Sequence, residues 1–318
     1  LNYVILTFIA TSLAYFGASS GFHPKDNYLQ KNPPTPAATM YLELNERNSN
    51  PDKPIVERYA HWVSGVAHGD FGKTFDLNSV NRQFGISVWV TVRLVTIASV
   101  IAAFAGILIG AYQAVRQYKP IDHALTFGSY LIFATPVFVL APFLKIIAVQ
   151  VNKAIGGDKP FLQYQGEIDP NVTGFWPSLF SRADHLVLPT ISLSLGLIAF
   201  YSRYQRGTML DVMGSDFLRT ARAKGLRKGK AILRHGVRTA VIPVMTLVTY
   251  STILTFAGAI ITERVFGWNG LGNWFTTSVR NSDVNSVALI TLFSAVLVLI
   301  AGMLSDIVTA LLDPRVRL

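Results

Sequence analysis

The sequence predicts an all-α membrane protein with six transmembrane helices, a single domain over residues 1–318. Three observations carry that prediction. Hydrophobic side chains make up 51% of the 318 residues and charged ones only 14%, a balance too apolar for a soluble domain. Six apolar runs are long enough to cross a bilayer, at about 1–20, 87–115, 124–149, 186–204, 241–262 and 287–312. The charge is also unevenly placed. Fourteen of the 28 bases but only four of the 18 acids fall in 116–123, 202–240 and 313–318, so these segments hold the whole net charge of +10 and are assigned to the cytosol. The remaining bases and acids balance at 14 each, which leaves no surplus to recruit nucleic acid, and the basic segments carry no aromatic stacking platform. There is no cysteine, which excludes disulfides and thiolate metal sites.

The first run, Leu1 to Ser20, begins without Met or a charged flank. The numbering is therefore expected to start inside a longer chain, with a retained first span and a cytosolic N-terminus. Residues 21–85 carry seven bases, seven acids and five prolines from Pro33 to Pro54, as an external loop would. Within that loop Tyr59, Trp62 and Val66 recur at helical spacing, which predicts a short interfacial helix.

The second span has Arg93 near its outer end, where a long side chain can snorkel, and a Gly106-x-x-x-Gly110 pair suited to close helix packing. A short inner turn, RQYKPID, leads to the third span, which contains Pro136 and Pro142 and has Lys145 toward its outer end. A proline inside a span needs a neighbour or a cavity to satisfy the carbonyl it frees, so this helix is expected to face protein or a polar cavity. A second external loop, about 150–185 with Gly156, Gly157, Pro160 and Pro170, precedes a fourth span that contains Pro189.

From Asp211 to Pro243 the chain reads DVMGSDFLRTARAKGLRKGKAILRHGVRTAVIP, a basic segment between two apolar runs. Asp216 stands at the start of a short helix, and Arg219, Arg222 and Lys224 lie toward its end, an order that suits the helix dipole. Small Ala221 and Ala223 let another surface approach, and Gly225 permits a left-handed turn. A second basic helix, about Lys228 to Ala240, is expected to give way near Pro243 to the fifth span. The whole is read as helix, glycine turn and helix at the membrane surface, inside a cytoplasmic loop of about 205–240. The fifth span holds Thr246, Thr249, Tyr250, Ser251, Thr252 and Thr255, whose hydroxyls either bond within their own helix or line a polar path. Residues 263–283 form a third external loop. Asp306 lies near the inner end of the sixth span, close enough to water not to be read as a proton relay.

The form TARAKGL followed by RHGVRTAVIPV closely resembles the cytoplasmic coupling loop of ABC importer permeases, and within them the B-type membrane subunit of the dipeptide and oligopeptide branch. The general motif has a glutamate where this chain has Arg219, with Asp216 the nearest acid, and a shorter stretch than Gly225 to Pro243. Both departures are as expected for the peptide branch. GDFGKTF before the second span, TPVF at 135–138, the basic pair Arg203 and Arg206, ERVFGWNGLGNW at 263–274 and the DPRVRL ending are similar to other elements of the family, although Asn269 stands where proline is usual.

The resemblance implies the type I ABC importer permease fold in a bacterial plasma membrane, with both termini cytosolic. Its implied partners are a second homologous permease, two ATPase subunits or one two-domain ATPase, and an extracytoplasmic peptide-binding protein. ATP and Mg would be held by the ATPases and no cofactor by this chain. The resemblance further implies ATPase coupling through Asp216, Arg219, Ala221, Arg222, Ala223, Lys224 and Gly225. Thr249, Tyr250 and Phe256 are candidates to line the substrate pathway. Peptides are the expected cargo, with nickel chelates and glutathione as alternatives in the same family.

The residues that are missing agree. No G-x-x-x-x-G-K-[ST] occurs, since Ala67 and Lys224 occupy the first position ahead of Gly72-Lys73 and Gly229-Lys230, so the energy for transport has to come from a partner. None of the six histidines falls in an apolar span as a base, which argues against an intramembrane protease. His61 and His68, beside Asp70, read as surface residues rather than metal ligands. An ATP-independent secondary transporter is the alternative of a different class; it would call for ionisable groups at mid-membrane, whereas Arg93, Lys145 and Asp306 lie near span ends.

Overall fold

A computed structural model describes residues 2–156 and 160–312; the DPRVRL ending and Gly157 lie outside the described residues. In chain order the helices are α1 (Asn2–Gly21), α2 (Asp26–Leu29), α3 (Ala37–Glu46), α4 (Ile55–Ala67), α5 (Val80–Val115), α6 (Pro120–Ala134) and α7 (Val137–Ile155). There follow α8 (Phe175–Met213), α9 (Asp216–Ala223), α10 (Lys228–Ala231), a π-helical turn (Ile232–Gly236), α11 (Val237–Phe266), α12 (Leu271–Arg280) and α13 (Val284–Leu312). Among the described residues six stretches are long and apolar enough to cross a membrane: Val4–Leu29, Val80–Val115, Val137–Ile155, Phe175–Met213, Lys228–Phe256 and Val284–Leu311.

Several expected boundaries are corrected. The third span is not one helix over 124–149. Thr135 is extended (φ −87°, ψ 117°) and Pro136 follows it, so α6 ends at Ala134 and the crossing stretch is α7 alone. The pyrrolidine ring of Pro136 crowds the residue before it out of the helical region, which is why the helix breaks there. Pro142 stays inside α7. The fourth span is much longer than 186–204, because α8 starts at Phe175 after Gly174 (φ 93°) and continues to Met213. That shortens both the external loop expected at 150–185 and the cytoplasmic loop expected at 205–240. The loop at 21–85 contains α2, α3 and α4, and that at 263–283 contains α12. Finally, no separate basic helix ends near Pro243. Gly236 is right-handed helical (φ −66°, ψ −56°), and α10, the π turn and α11 run on through Pro243. With no turn-forming backbone between them, the proline costs one hydrogen bond and the helix continues.

The chain divides into two compact units, residues to Val92 with Trp268–Leu299, and Arg93–Gly267 with residues from Ile300. In the first, α1 packs on α4, and Tyr15, Trp62, Val284, Val287 and Ala288 form one apolar cluster. The short helix expected from Tyr59, Trp62 and Val66 exists as α4, and the ring of Tyr15 lies 5.2 Å from that of Trp62 and 5.3 Å from that of Tyr59. The other face of α1 is bare: Val4, Leu6, Phe8 and Leu13 are all more than half exposed, as a lipid-facing helix requires.

The start of α13 ties the extramembrane chain down. The Asp283 carboxylate accepts from the Phe75 N–H at 2.9 Å, the Ser286 N–H at 3.1 Å and the Ser286 hydroxyl at 2.7 Å, which caps the helix. Burial pushes the Asp283 pKa above the usual carboxylate range, against the pull of these donors. Asn285 donates to the carbonyls of Arg47 (2.8 Å) and Lys73 (3.1 Å). Two distant stretches of the chain are thereby fixed to one helix terminus.

The second unit is organised on α8, which packs against α6, α7 and α11. Its buried stripe includes Leu193, Ala199, Tyr201, Ser202, Gln205 and Met209. Gly106 and Gly110 of α5 meet this helix closely. A Cβ on Gly106 would stand 2.6 Å from Tyr201 Cβ, and one on Gly110 2.7 Å from Gln205 Cβ. The GxxxG pair therefore packs, as expected.

Candidate functional site

The basic segment is built from its first residues upward. Ser215 is extended (φ −72°, ψ 150°) and precedes α9, whose first turn carries Asp216 and whose last carries Arg222. Leu218 is the one buried residue of this helix. A Cβ on Gly236 would lie 3.5 Å from the Leu218 side chain and 3.7 Å from that of Ile232, so the bare backbone of the π turn is the surface on which Leu218 rests. Ile232 in turn joins Ala114, Met209 and Ala240 in an apolar cluster. Thus α9 is pinned by one leucine to the ends of the membrane helices, while Asp216, Arg219, Arg222 and Lys224 remain exposed.

Gly225 closes α9. The Leu226 N–H donates to the Ala221 carbonyl (3.3 Å) and the Gly225 N–H to the Arg222 carbonyl (3.0 Å), with Gly225 at φ 91°. These two bonds make a Schellman ending, which requires a residue at ease with positive φ. A Cβ on Gly225 would meet nothing within 4 Å. The need for glycine here comes from the backbone angle, and within this chain no surface approaches it. Ala223 is likewise exposed and Ala221 half-buried.

Sequence reasoning missed Leu218 and Gly236, and it missed the ion pair just above them. Arg206 of α8 donates from Nε and Nη2 to the two oxygens of Asp122, each at 2.8 Å, and the Tyr118 N–H adds a third bond at 3.1 Å. Asp122 is the one acid in the turn RQYKPID, a signal available from charge alone. The Arg206 guanidinium holds its carboxyl below the usual carboxylate range. A depressed folded pKa means the pair's stabilisation is complete above the unfolded value and is lost as pH falls through the folded one. Asp122→Asn is expected to cost about 2 kcal/mol, because it leaves a three-quarters-buried guanidinium unpaired. In detergent unfolding scans the wild type should lose stability below about pH 4, toward that of the variant, while the variant shows less of that acid dependence.

The pathway candidates of the fifth span differ in exposure. Thr249 donates to the Met245 carbonyl at 2.9 Å, Tyr250 is exposed and Phe256 half-buried, all on α11. Thr246, Ser251, Thr252 and Thr255 also donate to carbonyls four residues back, the within-helix arrangement. Ser251 and Tyr201 share a further bond at 2.6 Å.

At the other ends of these helices Arg93 does not stand alone. Glu167 receives Arg93 and, at 2.8 Å, Arg182. Lys145 donates to the Val265 carbonyl at 3.1 Å. Reciprocal bonds between Asn152 and Leu162 (2.8 and 2.9 Å) fasten the 160–174 segment to α7.

Residues 106–318 match the family described as the binding-protein-dependent transport system inner membrane component. The chain belongs to this family. As an inner membrane component of a transport system it is a permease subunit and not an enzyme. Among relatives, the oligopeptide transport system permease protein OppB of Mycobacterium tuberculosis (strain ATCC 25618 / H37Rv) is 43% identical over 318 residues, covering 100% of this chain and 97% of that protein. The dipeptide transport system permease protein DppB of Escherichia coli (strain K12) is 30% identical over 286 residues, 84% of this chain and 82% of its own. A crystal structure of an amino acid ABC transporter with histidines superposes with a TM-score of 0.51 at 14% identity, over 78% of this chain and 97% of that one. The permease has the type I importer fold.

Proposed function

We propose that this permease subunit forms half of the translocation pathway of an ATP-driven peptide importer, moving dipeptides or oligopeptides by alternating access. The observation that carries the cargo is the 43% identity, over the full chain, to an oligopeptide permease. A second homologous permease completes the pathway, ATPase subunits holding ATP and Mg dock on the cytoplasmic side, and an extracytoplasmic binding protein delivers the peptide. Both termini lie in the cytosol.

Coupling runs through α9. Asp216, Arg219, Arg222 and Lys224 present charge to the ATPase, Ala221 and Ala223 keep the contact close, and Gly225 sets the helix end. Leu218 seated on Gly236 makes α9 move with α8 and α11, so closure of the ATPases turns those helices as a body.

The test is mild detergent extraction and co-purification, then ATP hydrolysis by whatever accompanies the chain, with and without peptide and its binding protein. Recovery of a second permease and ATPases with peptide-stimulated hydrolysis is expected. A stable lone protein that transports without ATP overturns the reading.

A further inference from the structure

We propose that Arg203 binds the terminal carboxylate of the peptide in transit, an inference that rests on the peptide reading above. A cleft of about 300 Å³ is lined by Thr126, Tyr130, Phe200, Arg203, Tyr204 and Arg206. Its two guanidinium groups differ in what they have left to offer. Arg206 is neutralised by the two-point bond to Asp122. Arg203 lies with its guanidinium carbon 4.4 Å from the ring centre of Tyr130 and 5.2 Å from that of Phe133, and has no carboxylate partner among the described residues.

Ring contacts hold a guanidinium in place through its flat face but do not cancel its charge, and they leave the N–H edges to a ligand. Those edges form a planar fork that fits the two oxygens of a carboxylate. Tyr130 and Tyr204 are exposed and line the same cleft. The cleft therefore offers one uncompensated positive charge, an edge of N–H donors and aromatic walls.

An importer of peptides that differ in length and side chains can recognise only what they share. The backbone and the two termini are common to all of them, and of these the carboxylate alone is anionic. A single cation matches it one to one. Arg203 also sits on α8, the helix that leads directly into α9, so cargo held there touches the element that the ATPases move. A lipid phosphate carries related oxyanion chemistry, but inner-leaflet lipid sites are built from clusters of bases. Here Asp122 has removed the second base.

The test uses the complete importer in vesicles, supplied with saturating binding protein loaded with a labelled tripeptide as the free acid or as the C-terminal amide, a pair chosen because both load. Uptake is compared for wild type, Arg203→Gln and Arg203→Lys. The acid-to-amide uptake ratio is expected to fall about tenfold in the Gln variant, the worth of a charge-assisted hydrogen bond, and to be kept only in part by Lys, which carries the charge without the flat fork. An unchanged ratio, with both peptides slowed alike, overturns the proposal. So does a defect that appears only in vesicles containing phosphatidylglycerol, which assigns the cleft to lipid phosphate. Failure of the wild type to move either peptide is a separate result and sinks the peptide cargo itself.

Discussion

Gly110→Leu is expected to abolish accumulation of folded permease, and Gly110→Ala to lower its stability by about 1–3 kcal/mol, the usual cost of forcing extra carbon into a packed contact. The expectation follows from what a side chain would meet. A Cβ at 110 would run into the Ser202 carbonyl, stand 2.7 Å from Gln205 Cβ and 3.0 Å from the Arg206 backbone nitrogen. Two of these are backbone atoms of α8, which cannot swing aside as the end of a long side chain would. Separating the two helices would also disturb Arg206, whose pairing with Asp122 ties α8 to α6. Gly85, on the same helix α5, is the control. Nothing lies within 4 Å of a Cβ placed there, so Gly85→Ala should be neutral or stabilise slightly through helix propensity. Membrane yield and the detergent unfolding midpoint of the three variants measure this. Wild-type values for Gly110→Leu would mean that α5 and α8 do not meet at this glycine.

Much of this architecture is legible in the sequence because bilayer thickness and backbone chemistry leave few options. The six apolar runs, the GxxxG pair and the Tyr59, Trp62 and Val66 periodicity each correspond to an element of the structure. The boundaries were less legible, for a physical reason. Hydropathy marks where a helix leaves lipid and not where it stops, and α8 continues past Tyr204 through Arg206 and Asp211 because no proline falls in the polar stretch and Gly207 weakens a helix without ending it. The reverse error occurred at Pro136. The apolar run continues across 135–136 while the backbone does not, since the restriction that proline places on Thr135 is invisible to hydropathy.

The candidate site divides in the same way. The charged face of α9 and the turn at Gly225 can be read from residue types, because dipole order and positive φ are local properties. Leu218 on Gly236, Arg206 on Asp122 and Arg93 on Glu167 join residues 18, 84 and 74 positions apart, and one sequence supplies no partner for any of them.

Gly225→Asp is expected to leave the permease inserted and assembled while transport and peptide-stimulated ATP hydrolysis fall by about tenfold or more. Two effects act together. At φ 91° a side chain is strained by about 1–2 kcal/mol, enough to unwind the Schellman ending and release the bonds from Leu226 and Gly225 to the last turn of α9. The new carboxylate also stands among Arg222, Lys224 and Arg227, where it would alter the charge offered to an ATPase. Gly225→Asn separates the two, since Asn has the shape and the left-handed tolerance of Asp but adds no charge. If strain dominates, Asn should fall about as far as Asp and Gly225→Val at least as far. If charge dominates, Val and Asn should both stay near wild type. Space is not the issue in either case, because a Cβ at 225 meets nothing within 4 Å in this chain. The defect should therefore appear in the assembled importer and not in the unfolding midpoint of the isolated permease. Normal transport together with normal stimulated hydrolysis in Gly225→Asp would remove this glycine, and the helix end it shapes, from the coupling element.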